Sequence, residues 1–273
     1  MKILIGVATY PTTPELYPAT QASIDALERG EHEVVIEYYG NDDPALDPKD
    51  NITAKHNQMR ARLLNLAYDA LLTIEADMIV PPDALVKLAE VEASVVYAPY
   101  ASRHHPMILT FPAIDGYKGR SISADEALWR PSFGQVIACE GVGFGCTLIH
   151  RRVLEAVEFR RDTRSAIRRQ FADDWTFALD VKEAGFVSAA HLGVLCGHIQ
   201  RDGRVRWVDA EAPAFMRLDG EAEAPSAALP PMARYRVRKW LFGSMQNHAP
   251  GSEIELGAET ASVLLGLGKI ERI

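Results

Sequence analysis

Two carboxylates separated by one residue close an apolar run in the segment ALLTIEADMIVPPDAL, as Glu75-Ala76-Asp77. On extended backbone, residues i and i+2 project to the same side. Glu75 and Asp77 can then converge on one hard divalent cation, magnesium or manganese, or on a ligand hydroxyl. A second reading stays open, in which both acids solvate a strand end or cap the helix that follows.

Three further features could join them. In Glu140-Gly141-Val142-Gly143-Phe144-Gly145-Cys146, alternating glycines let backbone approach a ligand closely, or simply make a sharp turn. The run differs from a dinucleotide fingerprint because it is followed by CTLIH rather than opening a helix. Asp173 and Asp174 stand at the start of a predicted helix, where Asp173 can cap and Asp174 can face a cleft as a proton acceptor. His198, after Cys196-Gly197, is either a structural histidine or an imidazole that completes a manganese or magnesium site begun by Asp77.

Positioning these groups requires a particular succession of elements. Strands are expected at residues 2–8, 33–39, 70–74 and 94–98, with helices at 19–29, 52–70 (N-cap Thr53) and 83–91 between them. Such alternation predicts an α/β fold with a mainly parallel sheet and helices on both faces. Ligands in that architecture bind beyond the carboxyl ends of the strands, where Glu75 to Asp77 fall. From 99 to 132 the alternation fails, one strand is expected at 107–111, and an insertion or lid on the acceptor side fits there. Strands at 134–138 and 146–149, a helix at 152–158, a helix at 171–184 closed by Gly185, and strands at 186–190 and 194–196 complete the main domain.

Residues 1–210 are read as this domain, 211–232 as an Ala-, Glu- and Pro-rich linker, and 233–273 as a small C-terminal module. The module holds a basic patch at 234–239 and the strand-helix signature SEIELGAETASVLLGLG. A chain of 273 residues is long enough for one large core, since single cores stop growing near roughly 250–300 residues. The net charge of −8 argues against a general nucleic-acid surface, which relies on Lys and Arg. One cationic stretch, Arg151, Arg152, Arg160, Arg161, Arg164, Arg168 and Arg169, is read as a solvated face or as a contact for phosphate or acceptor. Cys139, Cys146 and Cys196 sit in apolar context and are read as core residues. The N-terminal apolar run is too short for a spanning segment and leads into turn chemistry, so no transmembrane segment and a cytoplasmic location are expected.

In order along residues 2 to 200, IGVATYP, HNQMR, TIEADMIVPPDAL, EGVGFGCTLIHRRVLE, FADDWTFALDVKEAGF and LCGHI together resemble the GT-A glycosyltransferases, in particular their family 2-like branch. The resemblance implies a Rossmann-like GT-A domain, a nucleoside diphosphate sugar as donor substrate, and Mn2+ or Mg2+ as cofactor. It implies that Thr9 and Tyr10 lie beside the nucleotide base and that Asn57 and Arg60 approach the nucleotide. Glu75-Ala76-Asp77 stands for the family's Asp-any-Asp motif, with Asp77 as metal ligand and Glu75 nearer the ribose or metal. Gly143 to Gly145 would line the donor-sugar and acceptor pocket, Asp174 or Asp173 would be the base, and His198 a further metal ligand. Glu75 replaces the family's first Asp, and Asp173 replaces its Glu.

The implied activity is hexose transfer to an acceptor hydroxyl on a glycan, small molecule or macromolecule. The alternatives are a nucleotidyltransferase and a nucleotide-sugar-binding protein without catalysis. Against the first stands the loop TYPTTPELYP, which lacks the Gly-rich, cationic phosphate loop such an enzyme would carry after its first strand. Donor identity, stereochemical outcome and homo-oligomer formation are left open.

Overall fold

The computed structural model describes residues 1–9, 16–101, 134–139, 141–162, 173–200, 202–207, 214–217, 222–223, 233–237, 241–242, 247–248, 251, 253–256 and 270–272. Tyr10, the strand expected at 107–111, Arg164, Arg168, Arg169, most of the expected linker and the helical half of the C-terminal signature lie outside the described residues. By internal contacts the chain divides into Met1–Ala222 and Glu223–Ile273. In the second unit, strands Ala233–Val237, Glu253–Leu256 and Ile270–Arg272 form an antiparallel sheet.

The first unit is built on strands β1 (Lys2–Ala8), β2 (Glu33–Tyr39), β3 (Ala70–Glu75), β4 (Met78–Ile79), β5 (Val95–Tyr97), β6 (Val136–Cys139), β7 (Cys146–His150), β8 (Ser188–His191), β9 (Gly197–Ile199), β10 (Arg204–Trp207) and β11 (Ala214–Arg217), and the two-residue strand β12 (Ala222–Glu223) falls at the division between the units. Its helices are α1 (Pro18–Asp25), α2 (Pro48–Asn65), α3 (Ala84–Ala89), α4 (Arg151–Ala156) and α5 (Asp173–Glu183). Seven strands form the main sheet in the order β2-β1-β3-β7-β5-β8-β6. Strands β2, β1, β3, β5 and β8 run one way, while β7 and β6 run against them. This is the mostly parallel α/β architecture that the sequence predicts. Consecutive residues Ile3 to Ala8 and Ala70 to Ile74 are all buried, so both faces of the central strands are covered.

The carboxyl ends of β1, β3, β5 and β8 share one edge. Because β7 is antiparallel, its beginning lies at that edge too, and the glycine run before Cys146 arrives beside the end of β3. Four residues separate the end of helix α5 from β8, so the helix must run against that strand, which carries Asp173 and Asp174 to the same edge. The stop is a Schellman motif: Gly185 N–H donates to the Lys182 carbonyl, Phe186 N–H donates to that of Val181, and Gly185 has φ +80°.

A second sheet, β12-β11-β10-β9-β4, begins two residues after β3. Its β4 and β9 were not expected as a pair. Each is only two or three residues long, too short for a periodic signal. The strand expected at 194–196 is displaced to Gly197–Ile199, leaving Cys196 in a single bridge to Tyr100. Strand β11, within the stretch read as a linker, pairs with β10. Helix α2 starts at Pro48, four residues before the expected start, because Asp47 caps it by accepting from Lys49 N–H at 2.8 Å. Thr53 instead lies inside that helix and donates to the Lys49 carbonyl.

Candidate functional site

The chain turns at Ala76-Asp77 instead of continuing extended, and that turn passes it from the main sheet to the second sheet. Glu75 is the last residue of β3 and is half-buried; Asp77 precedes β4 and is 1% exposed. The triplet is held from both sides. Ala76 N–H donates to the Ala8 carbonyl, while the Ala76 carbonyl accepts from Tyr17 N–H and, at 2.9 Å, from the Thr20 hydroxyl.

Asp77 meets His198. Antiparallel pairing of β4 with β9 puts Met78 opposite His198, and Ile199 N–H donates to the Asp77 carbonyl at 2.8 Å. Nε2 of His198 lies 3.7 Å from Asp77 Oδ2. Nδ1 of the same ring, 2.8 Å from the Ala101 carbonyl, must carry its proton to make that bond, so Nε2 is the nitrogen turned toward Asp77. A carbonyl on the far nitrogen is the usual way a metal-ligating imidazole is oriented. One carboxylate oxygen and one imidazole nitrogen at this separation can be joined by a single divalent cation through bonds of about 2.1 Å. Among the described residues no group of three or more His, Cys, Asp and Glu side chains is arranged around one metal position, so any remaining ligands would come from a bound diphosphate and water.

The Glu75 charge acts on His56 of α2, whose ring also feels Asp173 and Asp174. His56 Nδ1 donates to Asp173 Oδ2 at 2.7 Å, and both side chains are at most 2% exposed. Burial disfavours the imidazolium, but the adjacent Asp173 carboxylate outweighs it and holds His56 above its ordinary value. Asp174, the next residue, is half-buried and accepts from Trp175 N–H. Desolvation first, then the charge of Asp173, push its carboxyl up to about 6. The two neighbouring acids are thus divided, one bound in an ion pair and one left to titrate near neutrality. Sequence reasoning missed His56. The available signal was its place on the buried stripe Ile52, His56, Met59, Leu63, where a polar side chain requires a partner.

The glycine run stands between these two centres. A Cβ on Gly145 would lie 2.5 Å from Tyr100 Cε1, and one on Gly143 would meet the Tyr100 hydroxyl at the same distance. Bare backbone is needed because the Tyr100 ring lies on it, and that ring in turn meets His198 edge-on at 5.3 Å. Phe144, between the glycines, packs edge-on against His56 at 4.7 Å and against Phe159 and Phe177. One loop therefore buttresses both histidines.

The remaining predicted residues are distributed as follows. Thr9 is buried at the end of β1, and its carbonyl accepts from the buried Lys55 ammonium, which also pairs with Asp42 at 2.8 Å. Asn57 exchanges hydrogen bonds with the backbone of Phe159, and Arg60 donates to the carbonyls of Leu154 and Val157. Both side chains are thus engaged in joining α2 to the end of α4. The described arginines of the cationic stretch are also engaged within the chain. Arg151 donates to the carbonyls of Leu63, Leu64 and Tyr68, Arg152 to Ser94, Arg160 to Asp180, and Arg161 to Asp47 and Asp50. A cavity of about 360 Å³ lined by Asp69, His150, Arg151, Arg152 and Glu155 lies at the opposite edge of the sheet, before β3 and after β7. It is remote from the carboxylates at the strand ends. All three cysteines are buried free thiols. No helix among the described residues is long and apolar enough to cross a membrane.

No protein-family model matches the sequence, and no curated protein does. Among solved structures, A197 from STIV matches with a TM-score of 0.51 at 14% identity, over 84% of this chain and 100% of that one. S. aureus TarS 1–349 matches at 0.38 and 14% identity over 70% of this chain and 58% of its own, and its complex with UDP at 0.37 and 13%, over 70% and 57%. A Bacillus anthracis chain assigned as a glucose-1-phosphate thymidylyltransferase, in complex with a sucrose, matches at 0.38 and 11% identity over 72% of this chain and 89% of its own. The A197 likeness speaks to fold alone, and the weaker ones define neither substrate nor reaction.

Proposed function

We propose that this chain is a nucleotide-sugar-dependent glycosyltransferase that moves a hexose from a nucleoside diphosphate sugar to an acceptor hydroxyl. The observation that carries the reading is the β4–β9 register, which sets a buried carboxylate and a carbonyl-oriented imidazole 3.7 Å apart at the ligand-binding edge of an α/β sheet. Asp77 and His198 would hold a divalent cation there. When bound, such a cation neutralises negative charge developing on a departing diphosphate.

The chain's own residues would do the rest. Asp174, with its carboxyl near 6, is mostly ionised at neutral pH yet basic enough to accept the proton of an attacking hydroxyl. Glu75, Ala76 and Thr9 would face the nucleotide at the ends of β3 and β1. Gly143 and Gly145 would set the floor of the sugar pocket by fixing Tyr100. Excluding water at this edge strengthens each of these interactions.

The test is a manganese-supplemented screen of nucleoside diphosphate sugars, read by donor hydrolysis and thermal stabilisation, on wild type and Asp77→Ala. The proposal expects one donor class to stabilise or turn over with the wild type and to lose that response with the variant. No response to any donor, with or without metal, would sink it.

A further inference from the structure

We infer that His56 is a positioning residue for the adjacent carboxylates, acting through Asp173 to hold Asp174 in place and to set the charge around it. The inference rests on the reading of Asp174 as the base and deepens it.

Two consecutive carboxylates at a helix start repel one another unless a cation compensates one of them. Here the compensation comes across the α2–α5 contact. His56 donates through Nδ1 to Asp173 Oδ2 at 2.7 Å with water almost entirely excluded. The imidazole cannot swing, because Phe144 meets it edge-on at 4.7 Å and Phe159 lies against it at 5.1 Å. Phe159 in turn stacks on Phe177 at 4.7 Å, one helical turn along α5 from Asp173. Asp173 and Phe177 therefore share the face of α5 turned to α2. Asp174, advanced by about 100° around the helix, is directed off that face.

The groups facing His56 are Asp173 and Asp174 on α5 and Glu75 at the end of β3; those facing Asp174 are Asp173 and His56. The His56 charge lowers the Asp174 titration point and the Asp173 charge raises it.

The experiment is an NMR titration of the full chain, following the His56 ring nitrogens and the Asp174 carboxyl carbon in wild type, His56→Asn and Asp173→Asn. Asn at 56 keeps an N–H donor near the Nδ1 position but carries no charge. Expected in wild type are a His56 midpoint above 6.5 and an Asp174 midpoint near 6. The Asp174 midpoint should then rise by roughly one unit in His56→Asn and fall by roughly one unit in Asp173→Asn. An Asp174 midpoint unmoved by His56→Asn, or moved the same way by both substitutions, overturns the inference. Should His56→Asn fail to fold, the other two proteins decide: a wild-type His56 that titrates at or below 6.5, or one that Asp173→Asn leaves unchanged, overturns it equally. None of this needs a substrate. Opposed shifts without turnover of any donor would reject the transferase reading while leaving His56 as the residue that sets Asp174.

Discussion

Among the described residues, two histidine–aspartate pairs are of nearly equal burial and very different construction. At His56 and Asp173 the imidazole donates directly to the carboxylate at 2.7 Å, so charge is neutralised within the protein. At His198 and Asp77 the proton on Nδ1 is committed to the Ala101 carbonyl, and the other nitrogen stands 3.7 Å from the carboxylate. The first pair is a closed ion pair in which each charge offsets the desolvation of the other. The second keeps a carboxylate oxygen and an imidazole nitrogen at a spacing suited to a cation. What separates them is the partner of Nδ1, a carboxylate in one and a backbone carbonyl in the other. The same two residue types thus make a structural clamp or a candidate ligand set.

Substitutions should separate the pairs, most strongly in activity. With a cation contributing several kcal/mol to transition-state stabilisation, Asp77→Ala and His198→Ala should each cut turnover by roughly 10³-fold or more at saturating manganese, measured as donor consumption. Asp174→Asn should lower kcat by roughly 10²–10⁴-fold with a smaller change in KM.

Asp174 should also show a trade between activity and stability. Its folded-state carboxyl, at about 6, is raised above the ordinary 3.8, so the folded chain binds the proton more tightly than the unfolded chain. Its stabilising contribution is present below about pH 3.8 and is lost as pH rises through 6. Asp174→Asn should therefore raise the thermal midpoint at pH 7 relative to wild type, with the gain shrinking toward pH 4. In wild type, turnover should rise with pH through about 6 and then level off, as the base ionises.

The closed pair should behave the other way, with stability as its main readout. Asp173→Ala leaves an imidazole buried without its carboxylate and should cost about 3–5 kcal/mol in urea unfolding at pH 7. Asp77→Ala, measured without metal, should cost clearly less. The smallest effect is expected at the loop between the pairs: Gly145→Ala forces the Tyr100 ring aside and should destabilise by about 1–3 kcal/mol.

Much of the fold is legible from residue pattern alone. The runs at residues 2–8 and 70–75 are apolar because both sheet faces are covered there, the run at 33–39 is the partly exposed edge strand, and Gly185 marks a helix end because the Schellman geometry needs positive φ. The start of α2 is also written in the sequence as Asp47-Pro48, although Thr53 gives a competing cap signal. Strands β4 and β9 are not legible, because two or three residues show no period and their pairing is tertiary. For the site, Glu75 and Asp77 stand out by type and spacing, yet the turn at Ala76-Asp77 that passes the chain to the second sheet does not. His56 has its partner 117 residues away, and only its place on an apolar helical stripe hints that it must be paired.

The central claim is that Asp77 and His198 form a cation site and that His56 and Asp173 do not. The direct measurement is manganese binding to the full chain, read by electron paramagnetic resonance of free and bound Mn2+ across a panel of nucleoside diphosphates. It compares wild type, Asp77→Ala, His198→Ala and His56→Asn. The account predicts nucleotide-dependent manganese binding in wild type and His56→Asn, and its loss in both Asp77→Ala and His198→Ala. Binding that survives Asp77→Ala, or that His56→Asn abolishes as completely as His198→Ala does, would contradict it.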